Sequence, residues 1–362
     1  MRRLWLYGAL VLVTLLGGTG SAVARVERVP AGHSSGPARR TPPRQAARRH
    51  RPARRHRPAR HHRRKCVRHH KCVHHHKPKH RRHKHPPKLK PLPAPTPPAA
   101  PSYAGPCPTA PPAGALTLGA RTYALAGMDT FTKAAPLGAF AQSSNDQIVY
   151  TGDHGMSWTG YGDGWTSTYS GGKEGYQPST VVSVHDGVMD LHLHNDANGN
   201  PVGADPSPLP GGNRYQTYGA WSFCEKMVPA DAHNLDDFYQ APLLWPANDA
   251  DSPSAESDFP EGNLAGPDFK GFSHYGGSGA QDYFSIRTLI PTFSANQWHV
   301  YTQEWGPGFR SYYVDGQLVG TSTHQIWSGP ERWQLQVEPS GTNDGGSGDV
   351  LVGWVWIGTP AS

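Results

Sequence analysis

Acidic side chains are almost missing from the first quarter of this 362-residue chain, where Glu27 is the sole Asp or Glu before residue 90. Residues 25–90 hold 24 of the 35 Lys and Arg, a balance of +23, whereas residues 91–362 carry nine against 26 acids, a balance of −17. The net charge of +8 therefore describes neither part, and the part large enough to fold is acidic. After residue 20 no apolar run is long enough for a membrane-spanning helix. No segment keeps an apolar stripe at helical spacing, and 42 Gly with 36 Pro argue against a helical bundle. Glycine-rich dinucleotide and phosphate loops and the G-x-S-x-G elbow are absent, so nucleotide-binding and serine-hydrolase chemistry has no footing. No internal repeat occurs.

What is present begins with an address. Arg2 and Arg3 precede the uncharged run Leu4 to Leu16, and Ser21-Ala22-Val23-Ala24 offers small residues for cleavage. Thirteen apolar positions suit a secretory signal peptide over residues 1–24 better than an anchor. The expected location is secreted, extracellular or associated with the cell wall, where four cysteines meet oxidising conditions.

Residues 25–90 consist mainly of Arg, His, Lys and Pro, with 13 of the 21 His, and like-charge repulsion with little to bury predicts a disordered tail. Residues 91–114 continue as a Pro-rich linker. Three readings compete for the tail. It is a tether to anionic cell-wall polymers that high salt should release, a nonspecific nucleic-acid binder, which export disfavours, or a metal trap built on Cys66, Cys72 and the neighbouring His69, His70, His74, His75 and His76. The six-residue step between Cys66 and Cys72 matches no structural zinc module, and a disulfide there is equally open.

From residue 115 the pattern has period two. Leu191 and Leu193 face one way, and Asp190, His192 and His194 the other. Phe309 to Val314, then Asp315-Gly316, then Gln317 to Thr321 spells a β-hairpin. Apolar residues fill both registers of the run Asp349 to Ile357, so that strand should pack on both faces. About 250 residues of strands with Gly- and Pro-rich connections predict an all-β domain of two packed antiparallel sheets over 115–362. Cys107 and Cys224 are placed to bridge the start of this domain to a strand, with two free thiols as the alternative.

The most informative stretch is Glu256-Ser257-Asp258-Phe259-Pro260-Glu261. Glu256 and Asp258 share a face of a strand, but Glu261, five positions on, would point the opposite way. One extra residue in a β-bulge between Asp258 and Glu261 returns it, and Pro260 fits a bulge because it has no N–H to donate. Four effective strand steps then separate the two Glu backbones by roughly 13 Å. Side chains leaning inward could bring the carboxyls to the ~5–5.5 Å that double-displacement glycoside hydrolysis uses. Crowded carboxyls also raise at least one pKa, as a proton donor requires. The competing reading is a solvated acidic loop or calcium site, with Asp249, Asp251 and Asp268 close by.

These residues resemble glycoside hydrolase family 16, the laminarinase and lichenase group, whose signature Glu-x-Asp-x-x-Glu is matched by Glu256, Asp258 and Glu261. The resemblance covers roughly residues 120–360. It takes in Tyr218-Gly219-Ala220-Trp221, Leu243-Leu244-Trp245-Pro246, Ser273-His274-Tyr275-Gly276, the pair Trp298-His299 through Glu304-Trp305, and Tyr313-Val314-Asp315-Gly316, in the family's order. The form Phe259-Pro260-Glu261-Gly262 looks closest to exported actinobacterial members. The resemblance implies a concanavalin-like β-jelly-roll sandwich with substrate on the concave sheet. It makes Glu256 the nucleophile, Glu261 the general acid/base, and Asp258 the residue that positions Glu256. It implies a β-1,3- or mixed β-1,3/1,4-glucan as polysaccharide partner.

The sequence departs from the pattern at Ala255, Ser257, Ser252-Pro253 and Gly353. The last stands where many relatives carry the Asp of a structural calcium site, so no cofactor is expected and calcium binding is left open. Sugar rings stack on aromatic side chains. Trp245 is the first candidate for substrate binding, with Trp165 and Trp158 weaker and His274 and Gln336 as polar contacts. Nine cations in the folded part suit a neutral glucan, cut by a monomer. A non-catalytic glucan-binding protein and a cell-wall transglycosylase are the alternatives.

Overall fold

The computed structural model describes residues 103–362 apart from residue 146, 168–174, 231–234 and 278. The signal peptide, the basic tail and residues 91–102 of the linker lie outside the described residues.

Strands dominate, and the three α-helices among the described residues are single turns at Pro178–Val181, Ser252–Ala255 and Ile286–Leu289. The larger sheet runs in the order Ala115–Leu118, Arg121–Asp129, Gly348–Pro360, Gly219–Pro229, His299–Gly306, Phe309–Val314 and Gln317–Ser322. Val188–Asn195 also pairs with Gly348–Pro360. The second sheet has five antiparallel strands in the order Ala280–Ser285, Lys270–Tyr275, Ser257–Asn263, Phe238–Pro246 and Glu331–Pro339. The fold is an all-β jelly-roll sandwich.

Period-two patterning explains how the sheets face. Leu191 and Leu193 are buried while His192 is exposed. Between the sheets Phe223 meets Trp333 at 5.3 Å, and Phe259 meets Tyr312 at 5.2 Å and Tyr301 at 5.8 Å between ring centroids. Polar contacts cross the same gap. The Gln303 amide donates to the Ser257 carbonyl at 2.9 Å, and the Tyr312 hydroxyl to the Phe272 carbonyl at 2.6 Å. Asp315 and Gly316 take φ of 50° and 75°, as a two-residue hairpin turn of this hand demands.

The strand Gly348–Pro360 packs on both faces. Val350, Val352, Val355 and Ile357 join the core between the sheets, whereas Trp354 and Trp356 lie in a second cluster with Cys107, Leu118, Tyr123 and Cys224. Residues 103–112, within the stretch read as linker, cover this second cluster. Cys107 is disulfide-bonded to Cys224, the Tyr103 hydroxyl donates to the Gly353 carbonyl at 3.2 Å, and the Trp354 indole donates to the Thr109 carbonyl at 2.7 Å. Closing a loop of 117 residues stabilises the fold by about 4–5 kcal/mol on a chain-entropy model. A Cβ at Gly353 would lie 3.0 Å from that of Cys107, so this segment fills the space where a larger side chain would stand.

Candidate active site

The site is laid out on the five-stranded sheet. Two residues of its strand Ser257–Asn263, Asp258 and Glu261, pair with Phe272 and Lys270, three steps on one strand against two on the other. The other neighbour shows the same extra residue, since Gln240 pairs with Gly262 and Leu243 with Asp258. This is the bulge that the spacing demanded, and the Phe259–Pro260 bond within it is cis. Ser257 and Phe259 face the core, whereas Glu256, Asp258 and Glu261 all line one cleft.

The backbone entering the acidic strand is tied down. The turn Ser252–Ala255 ends where the Glu256 amide donates to the Ser252 carbonyl at 3.0 Å, and the His274 amide donates to the Glu256 carbonyl at 3.0 Å. Arg310 reaches across from the other sheet. Its guanidinium donates to the carbonyls of Ala255 at 2.6 Å and Glu256 at 3.1 Å, and pairs with Glu331 at 2.6 Å, in a fully buried cluster.

Electrostatics follow from burial. Asp258 is 2% exposed and is pushed up to about 8, first by lost hydration, with the nearby Arg310 charge opposing the rise. Glu256 is also raised, by burial and then by Asp258, to which it is hydrogen-bonded. Both shifts run the same way, because two buried carboxyls side by side disfavour the charged form of each. Glu261 is pushed up to about 8 by burial and by Asp258, against a hydrogen bond from the Tyr239 hydroxyl at 2.8 Å. The His274 Nε2 lies 3.4 Å from the Asp258 Oδ2, so this histidine faces the middle acid.

Trp245, Trp165 and Gln336 line the cleft with the acids. The Trp245 indole donates to Asp249 at 2.9 Å. Trp165 is 47% exposed and lies flat on Tyr161, with centroids 5.0 Å apart and planes 3° from parallel. Trp158 belongs to the core, where it is fully buried and donates to Asp129 at 2.8 Å.

Several lining residues escaped the sequence reading. Tyr239 stands six positions from Trp245, and Gln334 and Glu338 each two from Gln336, on the same strands and therefore on the same face. Tyr161 and Tyr176 come from connections. Arg332 donates to the Tyr161 hydroxyl at 2.6 Å and to Gln334, whose amide donates to both oxygens of buried Asp205 at 2.9 Å.

Among the described residues two groups place three potential metal-ligand atoms within 4.8 Å of one another. One is Glu256, Asp258 and His274, and the other is Asp236, Asp237 and Asp344. In the second group Asp237 already accepts from the backbone amides of Asp344, Gly345 and Gly346. Asp249, Asp251 and Asp268 belong to neither group.

The fold is similar to that of the endo-β-1,3-glucanase from Pyrococcus furiosus, with a TM-score of 0.50 at 15% identity over 69% of this chain and 99% of that one. It is similar to the laminarinase from Rhodothermus marinus at a TM-score of 0.50 and 17% identity, over 67% of this chain and all of the other. At such identities the likeness is one of fold. No protein-family model matches the chain, and no curated protein does.

Proposed function

We propose that the chain is a retaining endo-β-glucanase of glycoside hydrolase family 16 that cuts β-1,3- or mixed β-1,3/1,4-glucans. The observation that carries this reading is the bulge between Asp258 and Glu261, which brings Glu261 into the same aromatic cleft as Glu256 and Asp258. A solvated acidic loop would need neither the bulge nor the burial.

In the reaction, Glu261 begins protonated and gives its proton to the glycosidic oxygen as the bond to the anomeric carbon breaks. The Glu256 carboxylate attacks that carbon from the opposite face and forms a glycosyl ester. Asp258, hydrogen-bonded to Glu256, orients the attacking carboxylate. Glu261, now ionised, takes a proton from water, which attacks the ester and releases the sugar with its original anomeric configuration. Trp165 and Trp245 offer aromatic surface to pyranose rings. The structural disulfide agrees with export, and residues 25–90 would serve as the electrostatic tether.

Incubation with laminarin and lichenan should release reducing ends, and NMR should show the β-anomer first. Glu256→Gln should lower kcat by about 10³-fold or more while leaving glucan binding intact. Hydrolysis unchanged in that variant would refute the assignment, and products longer than the donor would indicate a transglycosylase.

A further inference from the structure

Beyond the cleft the same sheet continues through Lys270–Tyr275 to its edge strand Ala280–Ser285. Side-chain direction here is fixed from both sides of the sheet. A Cβ at Gly271 would fall 2.6 Å from the Tyr312 ring of the opposite sheet, and the Phe284 ring lies 5.9 Å from Tyr312, so Gly271 and Phe284 face inward. Their neighbours Phe272 and Tyr283 must therefore face outward, on the side of the acids. Register agrees, because Phe272 pairs with Asp258 on one side and with Tyr283 on the other.

The two rings stand 6.0 Å apart with planes 37° from parallel, and Tyr283 is 62% exposed. The Lys270 ammonium, on the residue opposite Glu261, lies 5.7 Å from the Tyr283 ring centre. Gln281, opposite His274, is exposed on the same face. Core packing explains none of this, since the rings are turned away from the core. Trp165, also exposed, lines the cleft with Gln334, Gln336 and Glu338 of Glu331–Pro339, so aromatic surfaces lie on both sides of the acids.

We propose that Phe272 and Tyr283, with Lys270 and Gln281, form a second sugar platform for pyranose rings of the same β-glucan chain after it has crossed the acids. Two strand spacings of about 4.8 Å separate the acidic strand from the edge strand, a span of roughly 9.6 Å and about two sugar rings. Pyranose C–H faces suit the two aromatic rings, and ring hydroxyls suit the ammonium and the amide. The nature of the ligand rests on the glucanase reading. The platform itself rests on the register of the edge strands.

The full chain carrying Glu256→Gln, alone and with Tyr283→Ala or Tyr283→Trp, is titrated by calorimetry with short and long β-1,3-glucan oligosaccharides. The same Tyr283 substitutions in the active enzyme are scored for cleavage pattern on long oligosaccharides. Tyr283→Ala should weaken long chains about tenfold, leave short ones unchanged and shift the pattern, while Tyr283→Trp keeps the parent behaviour. Equal affinities and patterns in the parent and Tyr283→Ala overturn the platform, as do parallel losses for short and long chains or no binding by either protein. Hydrolysis by the wild type with no Tyr283 effect leaves the glucanase reading standing without the platform. Tyr283-dependent binding without hydrolysis does the reverse.

Discussion

The Tyr239 hydroxyl donates to the Glu261 Oε1 at 2.8 Å, from the strand adjoining the acidic one. This contact favours the ionised form of a carboxyl that burial and Asp258 push up to about 8. Tyr239 is therefore a positioning residue that sets the pH at which the proposed acid loses its proton.

Tyr239→Phe should raise the Glu261 pKa further. The first chemical step needs Glu261 protonated, so kcat/KM falls as pH climbs through that pKa. In the variant this alkaline limb should move upward by about one pH unit, since a hydrogen bond to a charged group is worth about 1.5–3 kcal/mol and one unit is 1.36 kcal/mol. A pH–rate profile on laminarin checks it. A limb that stays in place would separate Tyr239 from the protonation of Glu261.

Arg310 has a different task, because it holds the backbone that presents Glu256. Arg310→Met leaves Glu331 buried without its charge partner and should cost about 3–5 kcal/mol of stability. Adding Glu331→Gln removes the stranded charge and should restore most of that loss in denaturant titrations. Activity should not return with it, because the carbonyls of Ala255 and Glu256 still lack their donor. Expected is a kcat depressed at least about tenfold with KM little changed, the mark of a group acting on the transition state. A fully active double variant would confine Arg310 to stability.

The reach of the sequence ended where side chains meet across elements. The carboxylate row was legible because period two fails for Glu261 without a bulge, and the register shift against both neighbouring strands is that bulge. The sandwich was legible in alternating runs such as Val188–Asn195 and in the Asp315-Gly316 turn. Tyr239 and Glu338 were within reach by stepping in twos from Trp245 and Gln336. Arg310 was not, since nothing local tells a mid-strand arginine that it will lie under the other sheet. Nor were Tyr161 and Tyr176, which line the cleft from connections, and Asp205, which is buried beneath Gln334 beside the bridge of Ala204 to Val337. Trp158 and Trp165 looked alike as sequence, yet one is buried in the core and the other lies exposed in the cleft. The Cys107–Cys224 bridge was legible, but Pro-rich composition made residues 103–112 read as linker although they pack on the second cluster.

Glu225 gives the sharpest test of how burial governs this fold. It lies between the sheets at 2% exposure, accepts a hydrogen bond from the Gln240 amide at 2.9 Å, and is pushed up to about 8 by burial, with that bond opposing. Its folded pKa exceeds the ordinary value of 4.5, so the unfolded chain gives up this proton first as pH rises. The stability it contributes is complete below about 4.5, declines as pH climbs, and is gone above about 8. Glu225→Gln keeps a side chain of the same shape that cannot ionise. Thermal melts should place the variant close to wild type at pH 5 and above it at pH 9, so that the gap widens with pH. A constant gap would mean that Glu225 does not enter the fold as a neutral acid.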